Sequence, residues 1–230
     1  MYADTLKETL PRVREAIAGA ADAAGRDASD VTLVAVTKGH PLEAVRAALE
    51  AGIEDLGENR VGELESKVAD VGREGVRWHM IGHVQRRKAP RALAAADLIQ
   101  SVDSLRLAER IDRVLDEGAP PVEVLFQVNT SGEEAKYGFD GEEALDRVLE
   151  ASALPGLRSR GLMTMAPFTD DEAVLRRTFA RLRELGERIR EARPDFGTVL
   201  SMGMTNDLRI AVSEGSTMVR IGTALFGERP

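Results

Sequence analysis

The chain has 230 residues, of which 43% are hydrophobic, enough for a substantial core in a single domain spanning 1–230. Its 31 basic and 39 acidic residues leave a net charge of −8 and a pI near 5.1, which argues against a general nucleic-acid binder. There is no cysteine, so disulfides, thiolate metal sites and thiol catalysis are excluded. The charged N-terminus lacks an apolar signal core and no run is apolar for long enough to span a bilayer, so a cytoplasmic protein is expected.

Thr5-Leu-Lys-Glu8 reads as a capping box that opens a helix. Leu6, Leu10, Val13 and Ile17 follow on one face, and Gly25 closes the element. No strand precedes this helix. After it, strand-like runs at 31–36, 53–56, 76–81, 98–102, 122–128, 156–163, 198–201 and 218–221 alternate with helical patterns. The helical patterns cover 42–50, 61–71, 87–95, 105–116, 142–151, 172–191 and 208–212. Strands alternating with helices imply a parallel sheet, and eight such units match the scale of the eight-stranded parallel β/α barrel. The expected fold is therefore α/β, a TIM-type barrel with an extra N-terminal helix. An open doubly wound sheet is the competitor, but the glycine-rich dinucleotide fingerprint is missing after the first strand.

The run at 31–36 is apolar or β-branched throughout, as a strand buried on both faces should be. It stops at Thr37-Lys38-Gly39, and Pro41 suits the first turn of the next helix. Lys38 thus stands at the carboxyl end of a buried strand, where a desolvated ammonium gives up its proton more readily and the amine can attack a carbonyl to make an imine. A strand-end lysine that merely reaches into water is the plain alternative. Only five of the 31 basic residues are lysine, so a lysine here is consistent with a need for its amine, although a GC-rich genome gives the same bias.

Barrel active sites gather where the strands end. The residues found there include Gly57-Glu58-Asn59-Arg60, Gly82-His83, Asp103, Asn129-Thr130-Ser131, Met163-Thr164-Met165, Ser201-Met202-Gly203-Met204 and Arg220-Ile221-Gly222-Thr223. The last two groups follow strands seven and eight, a common phosphate position. Gly203, Gly222 and the hydroxyls of Ser201 and Thr223 suit an anion. His79 and His83 lack a third ligand, so no metal site is expected. Arg86-Arg87-Lys88 reads as a solvated basic run. Glu58 reads either as a general base or as a surface cap of the next helix.

The segments Val34-Ala-Val-Thr-Lys38, Gly57-Glu-Asn-Arg60, Trp78-His-Met-Ile-Gly-His83, Ser101-Val-Asp-Ser104, Gly132-Glu-Glu-Ala-Lys-Tyr-Gly138, Gly161-Leu-Met-Thr-Met165, Leu200-Ser-Met-Gly-Met204 and Gly215-Ser-Thr-Met-Val-Arg-Ile-Gly-Thr223 cover nearly the whole chain in order. With them the chain resembles the pyridoxal phosphate homeostasis protein family, single-domain relatives of the alanine racemase barrel. Thr37 departs from a frequent serine, and Arg86-Arg87 from small or amide residues. The resemblance implies pyridoxal 5′-phosphate held as a Schiff base on Lys38. It implies a phosphate cup of Ser201, Gly222 and Thr223, a pocket contact from Asn59, and Arg220 facing the pyridine nitrogen; Gly203, from the strand-end reading, joins them as a cofactor-binding candidate. It also implies a role in vitamin B6 and amino- and keto-acid homeostasis, with the cofactor and cofactor-requiring apo-enzymes as partners, in a monomer or weak homodimer. Lys136 falls in a matching segment without an assigned role.

A guanidinium keeps its proton, so Arg220 leaves the cofactor ring largely unprotonated and a poorer electron sink. A two-base racemase needs a second acid/base group opposite Lys38. The chain has two tyrosines, Tyr2 in an expected frayed terminus and Tyr137 after strand five. A binding protein without strong turnover, and so without catalytic residues, is therefore expected first. A racemase using Lys38 and Tyr137 comes second, and a cofactor-free aldolase-like barrel third.

Overall fold

The structure is a computed structural model that describes residues 1–133, 137–140 and 143–229. Eight parallel strands close into a barrel in sequence order, with the last strand paired to the first. They are β1 (Thr32–Val36), β2 (Asp55–Glu58), β3 (Arg77–Met80), β4 (Leu98–Val102), β5 (Val122–Gln127), β6 (Leu157–Met163), β7 (Val199–Ser201) and β8 (Met218–Ile221). The helices are α1 (Tyr2–Ala23), α2 (Leu42–Glu50), α3 (Val61–Val71), α4 (Ala89–Ala95), α5 (Leu105–Arg113), α6 (Ala144–Ser152), α7 (Glu172–Ala192), α8 (Leu208–Ser213) and the short α9 (Thr223–Phe226). The alternation read from the sequence is thus a TIM-type barrel and not an open sheet. The expected start of the fifth barrel helix, Glu142, lies outside the described residues.

Strand alternation sorts the core into two layers. Val34, Leu98, Leu125, Met163 and Met218 fill the barrel interior. Ala35, Leu56, Trp78, Ile99, Phe126, Leu162, Val219 and Ile221 point outward and pack under the helices. The extra helix α1 is longer than the sequence pattern suggested. Thr5 sits inside it, bonding back to the Met1 carbonyl at 3.0 Å, so the expected capping box is not the helix start. Its end is as expected: Gly25 has φ +66°, and the Arg26 and Gly25 N–H groups return to the Ala21 and Asp22 carbonyls, both at 2.9 Å. Thr9 Oγ1 donates to the Leu225 carbonyl at 2.8 Å and Arg26 to that of Val212 at 2.9 Å, which fastens α1 across the seam where the barrel closes. Among the described residues no helix is long and apolar enough to cross a membrane.

Candidate functional site

At the carboxyl ends of the strands a cavity of about 410 Å³ is lined by Lys38, Asn59, Arg220, Gly222 and Thr223 among others. A depression of about 460 Å³ lies on the flank between α1 and α8, beyond Thr205 and Asn206, away from the strand-end lysine. The strand-end cavity concentrates the chemistry. Apolar walls come from Val36, Ile81, Met165 and Leu175, and its charged groups are Lys38, Asp207, Arg220 and Arg229.

Lys38 stands two residues beyond β1, half-buried, on a turn that needs the positive φ of +73° at Gly39. Burial holds its amine below the usual lysine range, helped by the nearby charges of Arg229 and Arg220 and opposed by Glu58 and Glu63. Arg220 is buried and reaches across the barrel mouth. Its guanidinium donates to the Ser201 carbonyl at 2.8 Å, the Ser201 hydroxyl at 2.6 Å and the Thr164 carbonyl at 2.9 Å. Alternation along β8 places it on the face opposite Val219 and Ile221, which pack under the helices. Burial pushes the guanidinium down to about 10, and the field of Asp207 opposes this.

Gly222 and Thr223 line the cavity where β8 turns into α9, and a Cβ on Gly222 would sit 3.1 Å from the Val36 carbonyl. Asn59 reaches the cavity because Gly82 leaves room: a Cβ there would lie 2.5 Å from Asn59 Oδ1. Ser201 and Gly203 lie behind the wall and not among the residues that line the cavity. The buried Ser201 hydroxyl donates to Gln100 Oε1 at 2.7 Å and accepts from Arg220, and the Gly203 carbonyl accepts the Arg220 backbone N–H at 3.0 Å. Both residues therefore hold Arg220.

Other sequence candidates fall elsewhere. His83 and Tyr137 stack with ring centres 4.2 Å apart, and His83 Nδ1 is 2.7 Å from Asp103; neither ring lines the Lys38 cavity. Tyr2 is not frayed: it opens α1, and its hydroxyl is 3.2 Å from His40 Nδ1. His79 is buried between Asp55 and Gln100, with its pKa pushed down by burial against the pull of Asp55. Among the described residues no three metal-ligating side chains converge. Lys136 lies outside the described residues.

Sequence reading missed Arg229, the loop residues 166–169 that follow Met165, and the buried partners of Glu58. Arg229 reaches the cavity only because the chain end folds back over Gly39, where a Cβ would meet its Cδ at 2.9 Å. Glu58 is neither a surface cap nor in the cavity; it faces α3, buried, with Lys67 Nζ at 2.7 Å and the Thr37 hydroxyl at 2.5 Å. Burial raises its carboxyl to about 7, opposed by those two bonds. The folded chain then holds a proton that the unfolded chain, near 4.5, releases. This group's contribution to stability is thus full below 4.5 and lost as pH rises through about 7. Glu58→Gln should remove that loss, so urea stabilities of variant and wild type should diverge in slope across this window. Parallel pH profiles would show that Glu58 titrates alike in both states.

A family model described as "Alanine racemase, N-terminal domain" matches residues 12–230. The pyridoxal phosphate homeostasis protein of Pseudomonas aeruginosa is 42% identical over 225 residues, covering 98% of this chain and 96% of that one. A crystal structure of an unknown protein from Bifidobacterium adolescentis superposes with a TM-score of 0.93 at 37% identity, covering 98% of this chain and 96% of that chain. PipY of Synechococcus elongatus, solved with pyridoxal phosphate bound, gives 0.80 at 36% identity, covering 92% of this chain and 100% of that chain. With near-full-length identity at this level and the barrel itself in common, the chain belongs to the alanine racemase N-terminal domain family and, within it, to the pyridoxal phosphate homeostasis proteins.

Proposed function

We propose that this protein binds pyridoxal 5′-phosphate as a Schiff base on Lys38 and serves vitamin B6 and amino- and keto-acid homeostasis in the cytoplasm without strong turnover. The observation that carries this reading is a lysine amine with a lowered pKa in one cavity with a buried arginine and a Gly-Thr turn. The bound cofactor supplies an aldehyde and an electron-withdrawing ring. Lys38 offers a partly desolvated amine that gives up its proton more readily than an ordinary lysine. Gly222 and Thr223 offer backbone N–H groups and a hydroxyl to the phosphate, and Asn59 closes the side next to β3. Ser201 and Thr164 take three of the five N–H donors of Arg220, which leaves two, one of which would serve the single lone pair of the ring nitrogen. Because guanidinium does not release its proton, that nitrogen stays unprotonated and carbanion chemistry is weak. Cofactor-requiring apo-enzymes are the partners, and the protein works as a monomer or weak homodimer.

The racemase reading needs an acid/base group across from Lys38, and Tyr137 is stacked on His83 instead. Incubation with L- or D-alanine is therefore expected to give racemisation no faster than free cofactor. Saturable racemisation that depends on Lys38 would move the protein into the enzyme class. The direct test of binding is an absorption spectrum of the reconstituted protein before and after borohydride, with peptide mass mapping. The reduced cofactor should sit on Lys38; an adduct confined to another lysine would overturn the assignment.

A further inference from the structure

We propose that Glu58, Glu63 and Lys67 form a buried brace that sets both the position and the basicity of the Lys38 amine. The inference rests on Lys38 being the reactive amine, and it concerns three residues that lie outside the cavity.

The brace grips the chain on both sides of Lys38. Lys67 on α3 is buried, and its three ammonium protons go to the Thr37 carbonyl at 2.8 Å, Glu58 Oε1 at 2.7 Å and Glu63 Oε1 at 2.9 Å. The Thr37 hydroxyl donates to Glu58 at 2.5 Å, and the Gly39 N–H donates to Glu63 at 2.6 Å. Residues 37 and 39 are thus both tied to one charged cluster, and the lysine between them cannot shift without breaking these bonds. Stability alone does not account for a charged cluster here, because apolar side chains would hold α3 to the barrel as well or better. What the cluster adds is the grip on the turn and a field behind the amine.

That field depends on one proton. Two carboxylates and one ammonium give the cluster a charge of −1, and protonating Glu58 brings it to zero. Glu58 Oε2 is buried and has no hydrogen-bond partner, so the ionised form is poorly compensated. The groups that face this turn are Glu63 and Lys67 from α3, His40 from the loop before α2, Arg220 from β8 and Arg229 from the chain end. Ionised Glu58 and Glu63 favour the charged amine, whereas burial and the two arginines favour the neutral one. A proton on Glu58 therefore tips Lys38 toward the nucleophilic form.

Trace labelling of the cofactor-free protein with acetic anhydride across pH, read by peptide mass, reports the Lys38 amine directly. The wild-type profile should depart from a single titration near pH 7, where Glu58 ionises. Glu58→Gln keeps an acceptor for Thr37 and Lys67, and should give a single titration with a lower midpoint. Lys67→Met should speed amide exchange at residues 37–40 by about tenfold, as expected for one lost hydrogen bond of ordinary strength. If Lys67→Met does not fold, Glu63→Gln must lower the Lys38 midpoint in its place. Superimposable Lys38 profiles in wild type and the folded Glu58→Gln or Glu63→Gln variant, or unchanged exchange in folded Lys67→Met, would overturn the proposal. These readings use no cofactor, so they stand or fall separately from the imine assignment, which borohydride mapping decides.

Discussion

Lys38→Ala is expected to abolish the visible absorption band and the borohydride-trappable adduct of the reconstituted protein, while thermal unfolding stays cooperative. Among the described residues no second lysine amine is placed to substitute. Of the other four lysines, Lys7 is exposed and paired with Asp4, and Lys67 is buried with every proton committed. Lys88 borders a separate shallow cleft with Arg60 and His83. Lys136 is outside the described residues, and a wild-type adduct on it alone would move the assignment there. The cost to folding should be small, within about 1 kcal/mol, because the Lys38 side chain is half-buried and the turn around it is held through Thr37 and Gly39. Spectroscopy of the reconstituted variant beside a calorimetric scan separates lost binding from lost structure. A retained band would mean that the cavity holds its ligand without this amine.

The barrel was legible because strands buried on both faces leave apolar runs that no surface pattern imitates. The runs at 98–102 and 218–221 coincide with β4 and β8, and the predicted helices at 42–50 and 61–71 with α2 and α3. The position of Lys38 followed from the same logic. Errors arose where a charge was read as solvent. The second run was placed at 53–56, two residues early; β2 runs on to Glu58, which a surface-cap reading puts in solvent and which is buried against Lys67. The i,i+4 pair Glu63–Lys67 was readable as a helix-surface pair, but its burial was not, since that depends on Thr37 some 30 residues away in sequence. Likewise the Ser201 hydroxyl was free to be read as a phosphate ligand, because nothing local reveals its bond to Gln100, 101 positions earlier. Local pattern locates strand ends; which polar groups satisfy one another behind them is set by closure of the barrel.

Arg220→Glu is expected to destabilise the cofactor-free protein by roughly 3–5 kcal/mol, the range for breaking a buried charged contact from one side. The guanidinium donates to two backbone carbonyls, those of Ser201 and Thr164, and to the Ser201 hydroxyl. A carboxylate in its place would meet those carbonyl oxygens with its own negative charge and no donor. The Ser201 hydroxyl cannot rescue it without leaving Gln100. Buried Asp207, which now favours the arginine charge, would oppose the new one. Reversing the charge therefore damages the strand ends before it can alter the electronics of a bound ring. Arg220→Lys is the cleaner probe: it keeps a cation and up to three donors, loses the planar fork, and should lose less stability than the glutamate variant. Urea denaturation of both variants checks the order. A glutamate variant that unfolds at the wild-type midpoint would mean that the guanidinium is not held by Ser201 and Thr164, and its assignment to the ring nitrogen would lose its geometric support.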